Sequence, residues 1–227
     1  MVYVVSDLHG CYGKYKNLVE RLNLAENDSL HILGDIVDRG DGGMEILLDL
    51  ASRRNVFAYR GNHDHSAQVF LRNFAISNDG YSADGLIEAF RAWLTDGGNK
   101  TYEGFMNLSN EEQHIALAYL NSLPVFEELL VGNQKYFLAH TVPSKEKMLH
   151  MDNCRIFDFI MGEPEYEKTY FDDTIIVTGH TPTGFINPNY IGRIWQDNNH
   201  IAIDCGAVFG NPLGCLCLDT MEEIYVE

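Results

Sequence analysis

The sequence predicts an α/β fold: a β-sandwich flanked by helices, with a polar site at the carboxyl ends of its strands. Three observations predict it. Apolar strand-like runs alternate with helical patterns through the first third of the chain, the middle carries only helical patterns, and the chain turns β-rich from residue 125. Strand–helix alternation implies parallel strands joined by right-handed crossovers.

Val2-Tyr3-Val4-Val5 is β-branched and aromatic and reads as a buried strand. Residues 16–22 carry apolar side chains at helical spacing, with Gly13 ahead of them. Residues 30–33 form the second strand, residues 44–51 the second helix and residues 55–59 the third strand. Residues 66–123 hold no strand pattern. Residues 86–94 and 111–123 are amphipathic, and Gly97-Gly98 is expected to end the first of these helices. This stretch reads as a helical insert over one end of the sheet. Residues 125–131 and 136–139 flank Gly132-Asn133, a hairpin signal. Strands are expected at 174–178, 201–204, 213–218 and 224–226, and residues 148–171 read as a loop with short helix. Without repeats or low-complexity segments, residues 1–227 read as a single domain.

The chain has 33 acidic and 16 basic residues, a formal net charge of −17. Such a surface repels phosphate backbones and anionic lipid, which argues against nucleic-acid and membrane partners. An acidic chain that handles phosphate needs a local positive centre, supplied by bound metal ions and a few arginines. The five cysteines are irregularly spaced and include no CxxC pair, which points to free thiols and a reducing, cytoplasmic location. The first residues read as a strand rather than a signal peptide, and no apolar run approaches a membrane span.

Metal-competent side chains follow successive strands. Asp7-Leu8-His9-Gly10 follows the first, residues 34–40 (GDIVDRG) the second and Arg60-Gly61-Asn62-His63-Asp64 the third. His140 follows the strand at 136–139, and Gly179-His180-Thr181 follows the strand at 174–178. Open α/β sheets place their ligand sites at such strand ends. Carboxylate, imidazole and amide oxygen suit manganese, iron or zinc, and no thiol is in the set. Asp7 and His9 can chelate one ion from one strand end, and Asp35 is the candidate bridge between two. Each piece alone is a common polar loop, whereas the ordered series is a metal centre.

The series resembles the PPP-type, calcineurin-like metallophosphoesterases, in texture closest to the bacteriophage lambda type of Ser/Thr protein phosphatase. The family pattern DxH, GDxxDRG, GNHE/D, a lone His and GH stands here in order, and residues 93–102 and 204–209 also look like the lambda type. The resemblance implies that Asp7, His9 and Asp35 hold one ion, and that Asp35, Asn62, His140 and His180 hold the other. It implies His63 as general acid oriented by Asp38, Arg39 on the substrate phosphate, and direct attack on phosphorus by a hydroxide bridging two divalent ions. Manganese is expected first, with iron or zinc as alternatives. Asp64 stands where the family often has Glu and is not assigned to the metals. The family's second phosphate arginine has one candidate between His140 and His180, namely Arg155, whose surroundings match the usual pattern poorly.

The resemblance therefore implies a metal-dependent phosphomonoester hydrolase, foremost a Ser/Thr and also Tyr protein phosphatase. Its substrates would be phosphorylated protein, peptide or small phosphoesters. The alternative is a dinucleoside polyphosphate hydrolase, such as one acting on diadenosine tetraphosphate. Asp38 leans toward the phosphatase, because symmetrically cleaving tetraphosphatases typically carry Ala there. The remaining histidines lack motif support, and of these His65 is the one expected near the site.

Overall fold

The computed structural model describes residues 1–76 and 84–227, and among these the strands form two five-stranded sheets. The first sheet contains β1 (Val2–Val5), β2 (Ser29–Ile32), β3 (Val56–Ala58), β9 (Leu213–Cys217) and β10 (Glu223–Val226), in the order β10-β9-β1-β2-β3. β1, β2 and β3 run parallel, linked by α1 (Tyr12–Leu22) and α2 (Gly43–Ser52), as the alternating pattern requires. The second sheet contains β4 (Phe126–Val131), β5 (Gln134–Ala139), β6 (Thr174–Thr178), β7 (Trp195–Asp197) and β8 (His200–Ala202), in the order β4-β5-β6-β8-β7. β4 and β5 form the expected hairpin, with Gly132 at φ +60° in its turn.

The central strands β1, β2, β6, β8 and β9 are largely buried on both faces, which explains their near-continuous apolar runs. Val4, Leu33 and Leu216 point between the sheets, where they meet Tyr136, Leu138, Val177 and Ile201. Their neighbours Val5, Ile32 and Cys215 point the other way, into a layer with Leu18, Ile46, Leu47 and Leu50 of the helices. A period of two thus divides each strand between two cores. Phe137 and Ala139 of β5 face a third cluster with Met148, Phe159 and Tyr170.

Among the described residues the middle segment is helical, as expected, with residues 77–83 lying outside them, but it begins earlier. α3 runs Asn62–Ile76, so its first residues are the third motif itself. α4 (Asp84–Trp93), α5 (Asn99–Met106) and α6 (Asn110–Ser122) follow. Their apolar sides, including Trp93, Phe105, Ala116 and Leu120, join the cluster that covers a face of the first sheet, rather than one end of it. Ser109 and Glu112 form a capping box at the start of α6. Gly97-Gly98 ends the first of the two amphipathic helices, as expected: α4 stops at Trp93, and the backbone leaves helical φ/ψ at Asp96 and Gly97. Leu94–Gly98 is a π-helical turn with Gly97 at φ +106°, and α5 starts directly after it. α1 starts before its apolar pattern because loop bonds anchor its first turn: Cys11 N–H donates to Leu8 O at 2.8 Å and Tyr12 N–H to Gly10 O at 2.8 Å. Residues 148–171 follow α7 (Lys145–Met148) and hold the short α8 (Ile156–Ile160), and α9 (Thr183–Ile186) follows β6.

The loops after β1 and β2 cross at Gly10 and Gly40. A Cβ on Gly10, which has φ +65°, would lie 2.5 Å from the Gly40 carbonyl oxygen. Gly10→Ala combines that collision with left-handed strain and is expected to cost about 2–3 kcal/mol of stability. A denaturant midpoint lowered at unchanged slope checks this.

Candidate functional site

Every motif named from sequence meets at the same ends of the two sheets. β1 and β2 deliver Asp7, His9 and Asp35, the first turn of α3 delivers Asn62 and His63, and β5 and β6 deliver His140 and His180. Asp7, His9, Asp35, Asp38, Arg39 and His180 all have φ between +40° and +69°. That conformation costs a non-glycine residue about 1–2 kcal/mol, and such strain gathers at functional sites. Backbone bonds hold the loops in it: Asp7 N–H donates to Gly34 O at 3.1 Å, and His9 N–H to Asp35 O at 2.8 Å.

Two groups of ligand atoms converge, each within 4.8 Å of one another: His9, Asp35 and His63, and Asp35, His140 and His180. Asp35 belongs to both. Its Oδ2 lies 3.5 Å from His9 Nε2 and its Oδ1 3.5 Å from His140 Nε2. Asn62 Oδ1 and His180 Nδ1 each lie 3.0 Å from His140 Nε2. Asp7 is in neither group, and its Oδ2 accepts the backbone N–H of His180 at 2.9 Å.

The donor set fits divalent ions. His140 Nδ1 lies 2.8 Å from Leu33 O and His9 Nδ1 lies 3.0 Å from Val37 O. A carbonyl accepts only, so each Nδ1 carries the proton and each Nε2 presents a lone pair. The His140 lone pair then faces the amide oxygen of Asn62 and the carboxylate of Asp35. Converging lone pairs at buried positions of this kind could hold a cation among them. Burial pushes His9 and His180 down to about 4, which keeps the rings neutral and able to ligate.

Beside these groups stands a buried histidine–aspartate pair. His63 Nδ1 lies 2.7 Å from Asp38 Oδ2. Asp38 is fully buried, and Trp93 Nε1 donates to the same oxygen at 2.7 Å while Thr101 Oγ1 donates to Oδ1 at 2.5 Å. Burial opposes a charge on His63, but the Asp38 hydrogen bond and nearby Asp35 outweigh it and raise the ring above its ordinary value. Trp93 and Thr101 lie in the stretch that carries the lambda-type likeness, yet nothing in their residue type announces that they hold a carboxylate. Arg39 lies over His9 and His63, with guanidinium nitrogens 2.8 and 3.1 Å from their Nε2 atoms, and its guanidinium stacks 5.5 Å from the Phe209 ring.

Other readings separate cleanly. Asp64 is buried and serves the backbone: it accepts from Gly61 N at 3.0 Å and Ile36 N at 2.9 Å, tying the second and third motifs together. Burial and the nearby Asp35 carboxylate raise it to about 7. Arg60 does not pair with it in an ion bridge, and its guanidinium donates instead to Leu120 O and Asn121 O. Arg155 is exposed at the start of α8, where its backbone N–H donates to Asp158 Oδ2 at 2.8 Å and its carbonyl accepts the Asp158 N–H at 2.9 Å. Phe157 of that helix sits edge-on to His65, ring centroids 5.3 Å apart, which puts α8 beside the start of α3. Asp204 lies in the 204–209 stretch that carries part of the resemblance but has no role assigned from sequence, and it is buried and electrostatically close to Asp7 and Asp35.

Residues 1–209 match the family model of the calcineurin-like phosphoesterases, and the chain belongs to that family. It is a dinuclear metallophosphoesterase, a hydrolase that uses divalent metal ions. Among curated proteins it is similar to Bis(5'-nucleosyl)-tetraphosphatase PrpE (asymmetrical) of Bacillus cereus strain AH820. The two are 24% identical over 252 residues, covering 98% of this chain and 92% of that protein. Among solved structures, that of a candidate diadenosine tetraphosphatase matches with TM-score 0.68 at 16% identity, over 99% of this chain and 92% of the other. A protein serine/threonine phosphatase from Saccharomyces cerevisiae matches with TM-score 0.59 at 14% identity, over 94% and 71%. The likeness to these two structures is one of fold. No described helix is long and apolar enough to cross a membrane.

Proposed function

We propose that this chain hydrolyses dinucleoside tetraphosphates asymmetrically, at a site where Asp7, His9, Asp35, Asn62, His140 and His180 hold two divalent ions, manganese foremost. The observation that carries the metal reading is the sharing of Asp35 between two groups of ligand atoms. The substrate reading is supported by likeness along nearly the whole chain to tetraphosphatases, at 24–27% identity. It reverses the preference that Asp38 suggested from sequence.

The ions would supply water activation and charge neutralisation at the phosphoryl group. The chain's own residues do the rest. Arg39 presents a fork of N–H donors that matches two phosphate oxygens. His63 holds a proton at Nε2 for the leaving oxygen, and Asp38, clamped by Trp93 and Thr101, fixes the ring through Nδ1. Arg155 is a second phosphate contact only if α8 turns it toward the site.

One observation favours a second reading, a phosphoprotein phosphatase. The His63–Asp38 pair is most useful for an alkoxide leaving group, which needs a proton, whereas a nucleotide leaves as a stable phosphate anion. A turnover panel separates the two. Chelated protein is expected to be inactive, and manganese should restore hydrolysis. The reconstituted enzyme should show its highest kcat/KM on diadenosine tetraphosphate, releasing unequal products. A higher kcat/KM on phosphoserine or phosphotyrosine peptides reverses the assignment, and full activity after exhaustive chelation removes the metal reading.

A further inference from the structure

Asp96 stands over the phosphate end of the site, and neither the motif series nor the metal groups include it. Its carboxylate is 66% exposed, with Oδ1 3.8 Å from an Arg39 guanidinium nitrogen and Oδ2 3.8 Å from His63 Nε2. Its placement is built into the fold. Gly97 O accepts the backbone N–H of Arg39 at 3.0 Å, and a Cβ on Gly97 would lie 2.7 Å from that same nitrogen. Just before the turn, Trp93 donates to Asp38. The π-helical turn is thus pressed against residues 38 and 39, and it carries a negative charge to the two groups that would receive phosphate.

We propose that Asp96 is a charge filter. It disfavours a terminal phosphoryl dianion beside Arg39 and leaves an internal, singly charged phosphoryl group favoured. A terminal phosphate ester carries close to two charges at neutral pH, because its second pKa is about 6. Every phosphate of a dinucleoside tetraphosphate is internal and carries one. A fixed carboxylate repels the first roughly twice as strongly as the second. At contact distances in a half-solvated site, the extra charge is worth roughly tenfold in binding. The inference rests on the reading that Arg39 receives the attacked phosphate, and it explains how a site built from phosphatase parts would select a polyphosphate.

The test uses two substrates with one leaving group: nitrophenyl phosphate, and the nitrophenyl ester of a nucleoside monophosphate, which has one charge fewer at phosphorus. Asp96→Asn and Asp96→Ala, reconstituted with manganese, are expected to raise the ratio of kcat/KM for the first over the second by roughly tenfold at low salt, and by less at high salt. An unchanged ratio, or equal losses on both substrates, overturns the filter and leaves Asp96 as a prop for Arg39. Arg39→Ala is measured on the same pair. If it leaves both turnovers intact, the phosphate role of Arg39 has failed. If it lowers both while the Asp96 variants leave the ratio unchanged, only the filter has failed.

Discussion

Asp35→Asn is expected to strip the centre of both ions and to lower turnover by at least about 10³-fold, from several kcal/mol of lost charge stabilisation. Asp35 is the residue common to both groups of ligand atoms, with one oxygen toward His9 and the other toward His140. An amide in its place removes the charge that two cations share. It retains an acceptor for the His63 backbone N–H, which Asp35 Oδ1 holds at 3.0 Å, so the loop can keep its course. Asp38→Asn is the control, because Asp38 spends its oxygens on His63, Trp93 and Thr101. Elemental analysis after dialysis against manganese should find the ions in Asp38→Asn and not in Asp35→Asn. Two ions per chain in both proteins would remove Asp35 from the bridge.

Much of this site was legible because its residues follow strands in sequence order. A strand-terminal Asp or His needs no long-range information to be found, and β1, β2, β5 and β6 each announce their ends through apolar runs. The helical insert was legible as helix but not in its role. The apolar pattern puts its boundary at residue 66, whereas α3 starts at Asn62 and carries the third motif in its first turn. Polar residues at a helix start carry no apolar period, so the pattern could not reveal that start. β7 (Trp195–Asp197) is not legible in the sequence, because a three-residue edge strand with one buried side chain leaves no alternation to read.

The support of Asp38 was not legible either. Trp93 and Thr101 are 55 and 63 residues away along the chain, and their contact with Asp38 depends on how α4, the π-helical turn and α5 fold back over the second motif. Asp96 belongs to the same class, since only the turn geometry brings it to Arg39. Asp64 stands in the third motif but is not assigned to the metals from sequence, and its oxygens are taken by Gly61 and Ile36 N–H groups. Motif position names the neighbourhood, while the hydrogen bonds decide the task.

His63→Asn should keep both ions and yet lose rate in a way that depends on the leaving group. His63 Nδ1 is committed to Asp38 at 2.7 Å, and Nε2 faces the space beneath Arg39 and Asp96. Asn fills part of that space but cannot deliver a proton. General acid help is typically worth ~10²–10⁴-fold, and that is the loss expected on a serine phosphate, whose alkoxide must be protonated as it leaves. On nitrophenyl phosphate or diadenosine tetraphosphate the leaving group is already a stable anion, and the loss should be much smaller. A large loss confined to the alkoxide substrate would identify His63 as the acid and show how the same residues can serve two substrate classes. Metal content measured beside each rate separates this from damage to the centre, because His63 is also within reach of the His9–Asp35 group. Equal losses on all three substrates at full occupancy would assign His63 to phosphate binding. Losses that track a missing ion would instead make it a ligand.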